Sequence, residues 1–306
     1  MKTFIKVTEI WIPDKERIRL ELSSGLYGPF TDFKTASEHE HFAYNEGLPG
    51  KAWAAGHPIV MTRLEPSYFK RTAAAKKAGL TCGIALPIFS GDFLLAVVVF
   101  FCGDDEDHAG AIEVWCNAAG DNATLHLMDG YYGSLVDFEN ITKTIGMAKN
   151  QGLPGLAWAT SMPVLMENIG LSDEFVRASY AAHIGITNGL AIPVAKQADS
   201  NYIMTFLSAK STPLAKRIQI WLPKDDLLIC SAGYSKHGND LAEIFETVSV
   251  HKGQGALGRV WLTGMPSITG TAGDSNYNPA LDYLNSMLAI PVIDQGQFKA
   301  IITFLF

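Results

Sequence analysis

The sequence predicts an α+β protein of three tandem domains, each a mostly antiparallel sheet with flanking helices. The first observation is a motif that recurs as GLPGKAW at 47–53, GLPGLAW at 152–158 and, more loosely, GALGRVW at 255–261. Its tryptophans lie 105 and 103 residues apart. Repeats of this length can each bury a core, unlike solenoid repeats of about 20–50 residues. The second observation is that predicted hairpins replace βαβ alternation, which favours antiparallel sheets.

Further matches keep the same order and spacing along the chain. A proline follows each motif tryptophan by five residues, at Pro58, Pro163 and Pro266. A Phe-x-x-x-Ser/Thr pattern at 33–37, 138–142 and 245–249 supports the same register. The predicted domains are 1–104, 109–210 and 214–306, the last being the most divergent. Residues 103–110 and 208–213 are expected to be surface linkers because they are polar and contain Gly or Pro.

The elements of the first unit follow from its hydrophobic pattern and turn signals. The expected order is strand 7–12, strand 17–22, an irregular polar stretch to 46, helix 51–55, strand 57–62, helix 66–78, and strands 81–89 and 93–101 around a tight turn at 90–92. The nearly unbroken apolar run 94–101 should be a central strand with both faces covered. In the third unit, Gly, Asn and Ser at 269–277 predict a shorter or displaced helix.

Composition excludes several functional classes. The chain has 306 residues, 24 basic and 31 acidic, and a net charge of −7, which argues against nucleic acid as the main partner. The longest apolar run, 93–101, is far below the roughly 20 residues that span a bilayer, so no membrane insertion is expected. The N-terminus lacks a signal-peptide pattern, and the four cysteines show neither zinc nor disulfide spacing. We therefore expect a cytoplasmic protein with inert, buried thiols and three separate small cores.

The repeated unit resembles the GAF domain, a PAS-related sensory fold. The resemblance is carried by the Gly-x-x-Gly-x-Ala-Trp turn, the proline five residues later, a helix ending in Gly, and strands reading IALPI at 84–88, LAIPV at 190–194 and LAIPV at 288–292. It covers most of all three units, so the fold it implies is three tandem GAF/PAS-like domains. The short joints leave little room for the long signalling helices that usually flank such domains, and no bilin-attaching Cys-His pair occurs.

The resemblance implies a small-molecule pocket between the sheet and the covering helix. Units one and two keep the full motif and are the expected sites. The candidate ligand-binding residues are Trp53, Tyr68, Phe69, Trp158, Phe175 and Tyr180. Family members bind cyclic nucleotides, tetrapyrroles, haem, amino acids or nothing, so neither the ligand nor a cofactor follows from the resemblance.

Each of these features also has a structural interpretation. The motif tryptophans fit core anchors at least as well as pocket walls. The glycines Gly50, Gly155 and Gly258 fit a tight turn better than a phosphate cradle, since no P-loop Lys and Ser/Thr follow. The string SEHEH at 37–41 lacks further metal ligands and fits a solvated loop. Lys70 and Arg71 fit the wet face of a helix, and no metal site is expected.

Three functions remain open from the sequence. The leading one is a non-enzymatic sensory or regulatory protein, which binds a small molecule or a protein partner that carries the output function. The second is an interaction scaffold without a ligand. The third is a thiol-dependent reductase, because one GAF branch reduces free methionine sulfoxide; it would need Cys82 and Cys102, which share unit one. The oligomeric state does not follow from the sequence.

Overall fold

Each third of the chain forms a six-stranded antiparallel sheet, which confirms the predicted α+β class. The computed structural model describes residues 3–103, 109–117, 123–197, 200–236, 241, 248–270 and 285–306. Neighbouring strands in the three sheets are all antiparallel. The predicted linker core at 104–108 and most of the predicted helix region 269–277 lie outside the described residues.

The first unit contains more regular structure than the sequence predicts. Its elements are β1 Val7–Pro13, β2 Arg19–Leu26, α1 Thr31–Glu38, β3 His41–Ala43, α2 Gly47–Ala55, β4 Ile59–Met61, α3 Thr72–Lys77, β5 Cys82–Ser90 and β6 Phe93–Cys102. The stretch predicted as irregular therefore holds α1 and β3. The helix predicted at 66–78 is confined to α3. The β5–β6 hairpin turns where predicted, with Gly91 at φ +59°.

The second unit repeats this order, and the described part of the third repeats the order of its strands and of the motif helix. The second has β7 Gly110–Cys116, β8 Thr124–Tyr131, α4 Val136–Lys143, β9 Gly146–Ala148, α5 Gly152–Thr160, β10 Val164–Glu167, a 3₁₀ turn Ile169–Leu171, α6 Ala178–Ile184, β11 Ile186–Gln197 and β12 Ser200–Ala209. The third has β13 Arg217–Lys224, β14 Leu227–Ser235, β15 Ser249–His251, α7 Gly255–Thr263, β16 Ser267–Gly270, β17 Ser286–Asp294 and β18 Gln297–Leu305. The three sheets have the same strand order, β3-β2-β1-β6-β5-β4 in the first unit.

The two glycines of each motif differ in role, and the tight turn predicted at the second glycine lies at the first. The first glycine makes the turn: Gly47, Gly152 and Gly255 have φ near +60° and begin the helices. The second glycine lies inside the helix, and a Cβ there would collide with a backbone carbonyl of the preceding edge strand, Ala43 for Gly50 and Ala148 for Gly155. The prediction of a tight turn at Gly50, Gly155 and Gly258 was wrong, because these positions allow a helix and a strand to touch.

The expectation of three separate cores was also wrong. A helix-side core lies in each unit, but a fourth and larger core is shared by all three sheets. Both faces of strand β6 are apolar because each packs against a different core. Val98 and Phe100 face the shared core, whereas Val99 and Phe101 face the helices of unit one. The second cover that a central strand needs is thus supplied by the other two units.

The units close into a ring around a pseudo-threefold axis. One edge strand of each sheet meets the next unit: β4 lies near β8, β10 near β14 and β16 near β2. At the centre the equivalent residues Phe100, Phe206 and Phe304 contact one another, with ring centroids 5.4–6.4 Å apart. The predicted linker 208–213 is a surface segment only in part, since Lys210 and Ser211 are exposed but Ser208 and Thr212 are buried.

Candidate functional site

A buried ion pair occupies the space between the sheet and the helices of unit one. Glu9 on β1 and Arg71, just before α3, are both nearly inaccessible to solvent. Arg71 Nη2 lies 3.0 Å from Glu9 Oε2, and Arg71 Nη1 contacts Glu9 Oε1, so the pair is bidentate. The same carboxylate accepts hydrogen bonds from Trp11 Nε1 at 2.9 Å, Tyr27 Oη at 3.1 Å and Ser37 Oγ at 2.7 Å. The lone pairs of the Glu9 carboxylate are therefore engaged by donors of the chain itself.

Unit two repeats this cluster almost atom for atom. Glu113 on β7 pairs with Arg177, which precedes α6, and Arg177 Nη2 lies 3.0 Å from Glu113 Oε2. Glu113 accepts hydrogen bonds from Trp115 Nε1 at 2.9 Å and from Tyr132 Oη at 3.1 Å. Thr205 on the neighbouring strand adds a hydrogen bond of 2.8 Å. Arg177 also donates to Thr142 Oγ1 at 2.6 Å. We call these two groups the Glu–Arg clusters.

Aromatic rings surround each guanidinium. The Arg71 guanidinium carbon lies 4.7 Å from the Phe33 ring centre and 5.2 Å from that of Phe69. The corresponding Arg177 distances are 4.7 Å to Phe138 and 5.1 Å to Phe175. Phe69 and Phe175, two of the six predicted ligand residues, therefore pack on an internal cation. Such contacts stabilise a desolvated guanidinium by about 2 kcal/mol or more.

The surroundings of Glu113 favour its ionised form. Burial alone raises the pKa of Glu113, but the charge and hydrogen bonds of Arg177, with those of Thr205 and Trp115, outweigh it and hold that pKa below its usual value. Burial and the negative charge of Glu113 raise the pKa of the Tyr132 phenol. Tyr27 in unit one has its pKa raised by burial and by Glu9 in the same way. Both phenols are therefore neutral donors at physiological pH.

Unit three departs from this arrangement at its centre. Gln219 on β13 stands where Glu9 and Glu113 stand, and its Oε1 accepts a hydrogen bond from Thr303 at 3.1 Å. Arg217, two residues earlier on the same face, is fully buried. Trp221 Nε1 is buried, and within the described residues it donates no hydrogen bond, whereas its counterparts donate to a carboxylate. The third centre thus offers an indole donor beside a neutral amide.

Of the other four predicted ligand residues, two pack in the helix-side cores and two are partly exposed. Trp53 is half-buried on α2 and its ring stacks edge-on to Tyr44, with centroids 5.3 Å apart. Trp158 on α5 is buried and lies under Lys149, with the ammonium 5.0 Å from the ring centre. Tyr68 and Tyr180 are each 44% exposed. Within each expected site, the structure places the tryptophan and the phenylalanine in the same helix-side core, Trp53 with Phe69 and Trp158 with Phe175, and leaves the tyrosine partly exposed.

Sequence reasoning missed the residues of the clusters, although signals were present. A Glu-x-Trp pattern at 9–11 and 113–115 becomes Gln-x-Trp at 219–221, and Phe-x-Arg repeats at 69–71 and 175–177. A carboxylate inside an apolar strand indicates a buried pair. The interpretation of Arg71 as part of a wet helix face was wrong, because its side chain is buried.

Two related predictions also need correction. Ser37, taken as part of a solvated string, is fully buried and donates to Glu9. The Phe-x-x-x-Ser/Thr register fails in unit three, because Ser249 pairs with β14 in the way that His41 pairs with β2. Among the described residues, no three His, Cys, Asp or Glu side chains lie close enough together to hold a metal ion. No helix in the described part is both long and apolar enough to cross a bilayer.

The cysteines of unit one lie on the face of the sheet opposite the Glu–Arg cluster. Cys82 and Cys102 are register partners on β5 and β6, so the structure does bring them together. Both are fully buried in the shared core, and neither forms a disulfide. In unit three, burial raises the pKa of the Cys230 thiol to about 12. Thiols placed in this way are poor nucleophiles, since the thiolate is the reactive form.

Solved structures that are similar to this chain each cover about a third of it. The GAF domain of NLH2 from A. aeolicus is 23% identical over 34% of this chain and 61% of its own, with a TM-score of 0.27. The GAF domain of a phosphoenolpyruvate-protein phosphotransferase from Coxiella burnetii is 18% identical over 32% of this chain and 56% of its own, with a TM-score of 0.27. A free methionine-R-sulfoxide reductase from Neisseria meningitidis is 15% identical over 32% of this chain and 52% of its own, with a TM-score of 0.26.

The chain thus spans about half to three fifths of the length of these structures. No family model matches the chain, and no curated protein matches it. The chain itself contains three similar sheets, which is the arrangement expected of three tandem GAF-like domains.

Proposed function

We propose that the protein is a non-enzymatic regulatory protein that acts by binding a protein partner through the outer, helix-bearing surface of its ring. The observation that supports this is the pair of Glu–Arg clusters. In units one and two, the chain's own guanidinium fills the space in which the resemblance implies a ligand. A ligand there would have to break a buried, bidentate ion pair, and breaking such a pair costs about 3–5 kcal/mol.

Apolar side chains on the outer surface of unit two support a protein partner. Leu171 is 87% exposed, and Val176 and Tyr180, which flank the start of α6 four residues apart, are 41% and 44% exposed. Exposed apolar groups of this kind are typical of protein contact sites. We propose that Tyr180 contacts the partner that carries the output, rather than a small molecule inside the unit.

Photo-crosslinking tests this proposal. A photoreactive phenylalanine analogue replaces Tyr180 in one variant and Asp137, an exposed polar position on α4 of the same unit, in a control. In cells that make the protein we expect a discrete adduct from position 180 and none from position 137. Adducts of the same pattern at both positions, or no adduct at position 180, would contradict the proposal.

A ligand screen tests the same proposal from the other side. We expect cyclic nucleotides, amino acids and tetrapyrroles to leave the Tm of the full chain unchanged, because ligands that bind only the folded state raise it. A stabilising ligand whose effect disappears in Phe69→Leu or Phe175→Leu would instead favour small-molecule sensing in units one and two.

Small-molecule sensing by unit three is a second candidate. It is favoured by Gln219 in place of the carboxylate and by Trp221 Nε1, which lacks an acceptor within the described residues. An acceptor atom of a ligand would satisfy that donor, and an unsatisfied buried donor costs about 1–3 kcal/mol. In the ligand screen, this candidate expects a rise in Tm that Trp221→Phe removes and that Trp11→Phe retains.

A further inference from the structure

We propose that a groove on unit one, outside the helix-side core, binds a small organic anion. The groove lies between the segment 62–65 after β4 and the outer side of α3, and its volume is about 270 Å³. This is close to the lower end of the range of about 300–1,000 Å³ for small-molecule pockets. Its size suits one ring or a short chain with a carboxylate. The proposal does not depend on the protein partner proposed above.

The corresponding place in unit two is closed, which shows what keeps the groove open. Counting from Pro58 and Pro163, Glu65 corresponds to Gly170. Counting back from Gly79 and Gly185, which end the helices, Lys76 corresponds to Ala182. A Cβ on Gly170 would lie 3.0 Å from the backbone of Ala182, so the 3₁₀ turn of unit two rests directly on α6.

In unit one the same two positions carry long charged side chains at the rim of the groove. Glu65 and Lys76 are both exposed, and the Lys76 ammonium lies 3.6 Å from the Glu65 carboxylate. Exposed pairs of this kind contribute little stability. Lys76 can therefore turn towards a bound anion at little cost.

The lining of the groove indicates the chemical class of its ligand. Leu64 and Leu80 are buried and supply an apolar wall. Arg63 and Lys76 outnumber the single carboxylate of Glu65, so the charge of the lining favours an anion. Thr81 also lines the groove, and its buried hydroxyl has no hydrogen-bond partner within the described residues. An apolar body with one carboxylate satisfies all three features.

Benzoate and benzamide are the probes for this groove because they share a shape and differ in charge. Saturation-transfer NMR and calorimetry on the full chain would measure both. We expect benzoate to bind about tenfold more tightly than benzamide, as charge-assisted hydrogen bonds are stronger than neutral ones. Equal affinity for the two probes, or no benzoate binding at millimolar concentration, would overturn the proposal.

Variants locate the site. We expect Arg63→Gln to weaken benzoate binding about tenfold. The double variant E65G/K76A places the residues of unit two in unit one, and we expect it to lose binding of both probes. Lys77→Ala is the matched control, because Lys77 is a neighbouring exposed lysine of α3 that pairs with Asp32 outside the groove. The Tm of each variant is measured beside its affinity, so that a loss of binding is not confused with unfolding. An unchanged benzoate affinity in Arg63→Gln refutes the assignment.

Discussion

Replacing Glu113 with glutamine tests the reasoning behind the Glu–Arg clusters. The substitution keeps the shape of the side chain and removes its charge, which leaves Arg177 as a buried cation without a counter-ion. Each Glu113 oxygen accepts at least two hydrogen bonds, so the new amide NH₂ would face donors at either position. We expect the free energy of unfolding to fall by about 3–5 kcal/mol, the cost of breaking a buried pair.

Urea and thermal unfolding, followed by circular dichroism, measure the loss. For a chain of 306 residues we expect a fall in Tm of about 5–8 °C. Glu139→Gln is the control in the same unit, because Glu139 pairs with Lys143 at 2.6 Å on the surface. An exposed pair contributes about 0.2–1 kcal/mol, so the control should lose no more than that.

A double variant separates the ion pair from its desolvation. Replacing Glu113 with glutamine and Arg177 with methionine together removes both buried charges and keeps an acceptor oxygen at position 113. We expect the double variant to be more stable than Glu113→Gln alone, because the cost of the single change is an uncompensated charge. If Glu113→Gln and Glu139→Gln lose the same stability, or if the double variant is the less stable one, the reasoning is refuted.

Further outcomes follow from the same structure. The stability gap between wild type and Glu113→Gln should shrink as the pH falls below about 4.5, since a carboxylate with a depressed pKa stabilises only above its unfolded-state pKa; a constant gap in acid unfolding would contradict this. Phe206→Ala should cost about 3–5 kcal/mol and lower hydrogen-exchange protection in all three units, whereas loss confined to unit two would argue against the shared core. Native protein should expose at most one reactive thiol to a disulfide reagent, Cys116, and Cys116→Ser should abolish that signal; fast reaction of Cys230 would be contrary to its pKa of about 12. Gly155→Ala should lower Tm by several degrees because its Cβ meets the Ala148 carbonyl, and an unchanged Tm would exclude that close approach.

The sequence predicts the repeat and the hairpins because both depend on local pattern. The β5–β6 hairpin follows from two apolar runs around Ser-Gly-Asp, and the motif marks the start of each helix. Helix α1 and strand β3 were not predicted, since α1 has a buried face of only two residues, Phe33 and Ser37. Short elements of this kind give too weak a periodic signal to separate them from a polar loop.

The ring could not be predicted from one unit alone. The doubly apolar strand at 94–101 indicates that both faces are covered, but it does not say what covers the second face. Helices from the same domain and sheets from another domain leave the same trace in the sequence. The arrangement of the three units decides between them, because it brings Phe100, Phe206 and Phe304 together around one axis.

The same ring explains why unit three can differ at its centre without losing the fold. The face of its sheet opposite the polar centre packs in the shared core, to which Ile220, Ile290 and Ile302 contribute. The helix side of a unit is therefore not the sole source of its stability, so its polar centre can change from a closed ion pair to Gln219 beside Arg217. Units one and two both keep the bidentate Glu–Arg pair with its tryptophan and tyrosine donors, which favours a fixed structural role there. Divergence in function is expected first on the helix side and outer surface of a unit, where the ring does not constrain the residues.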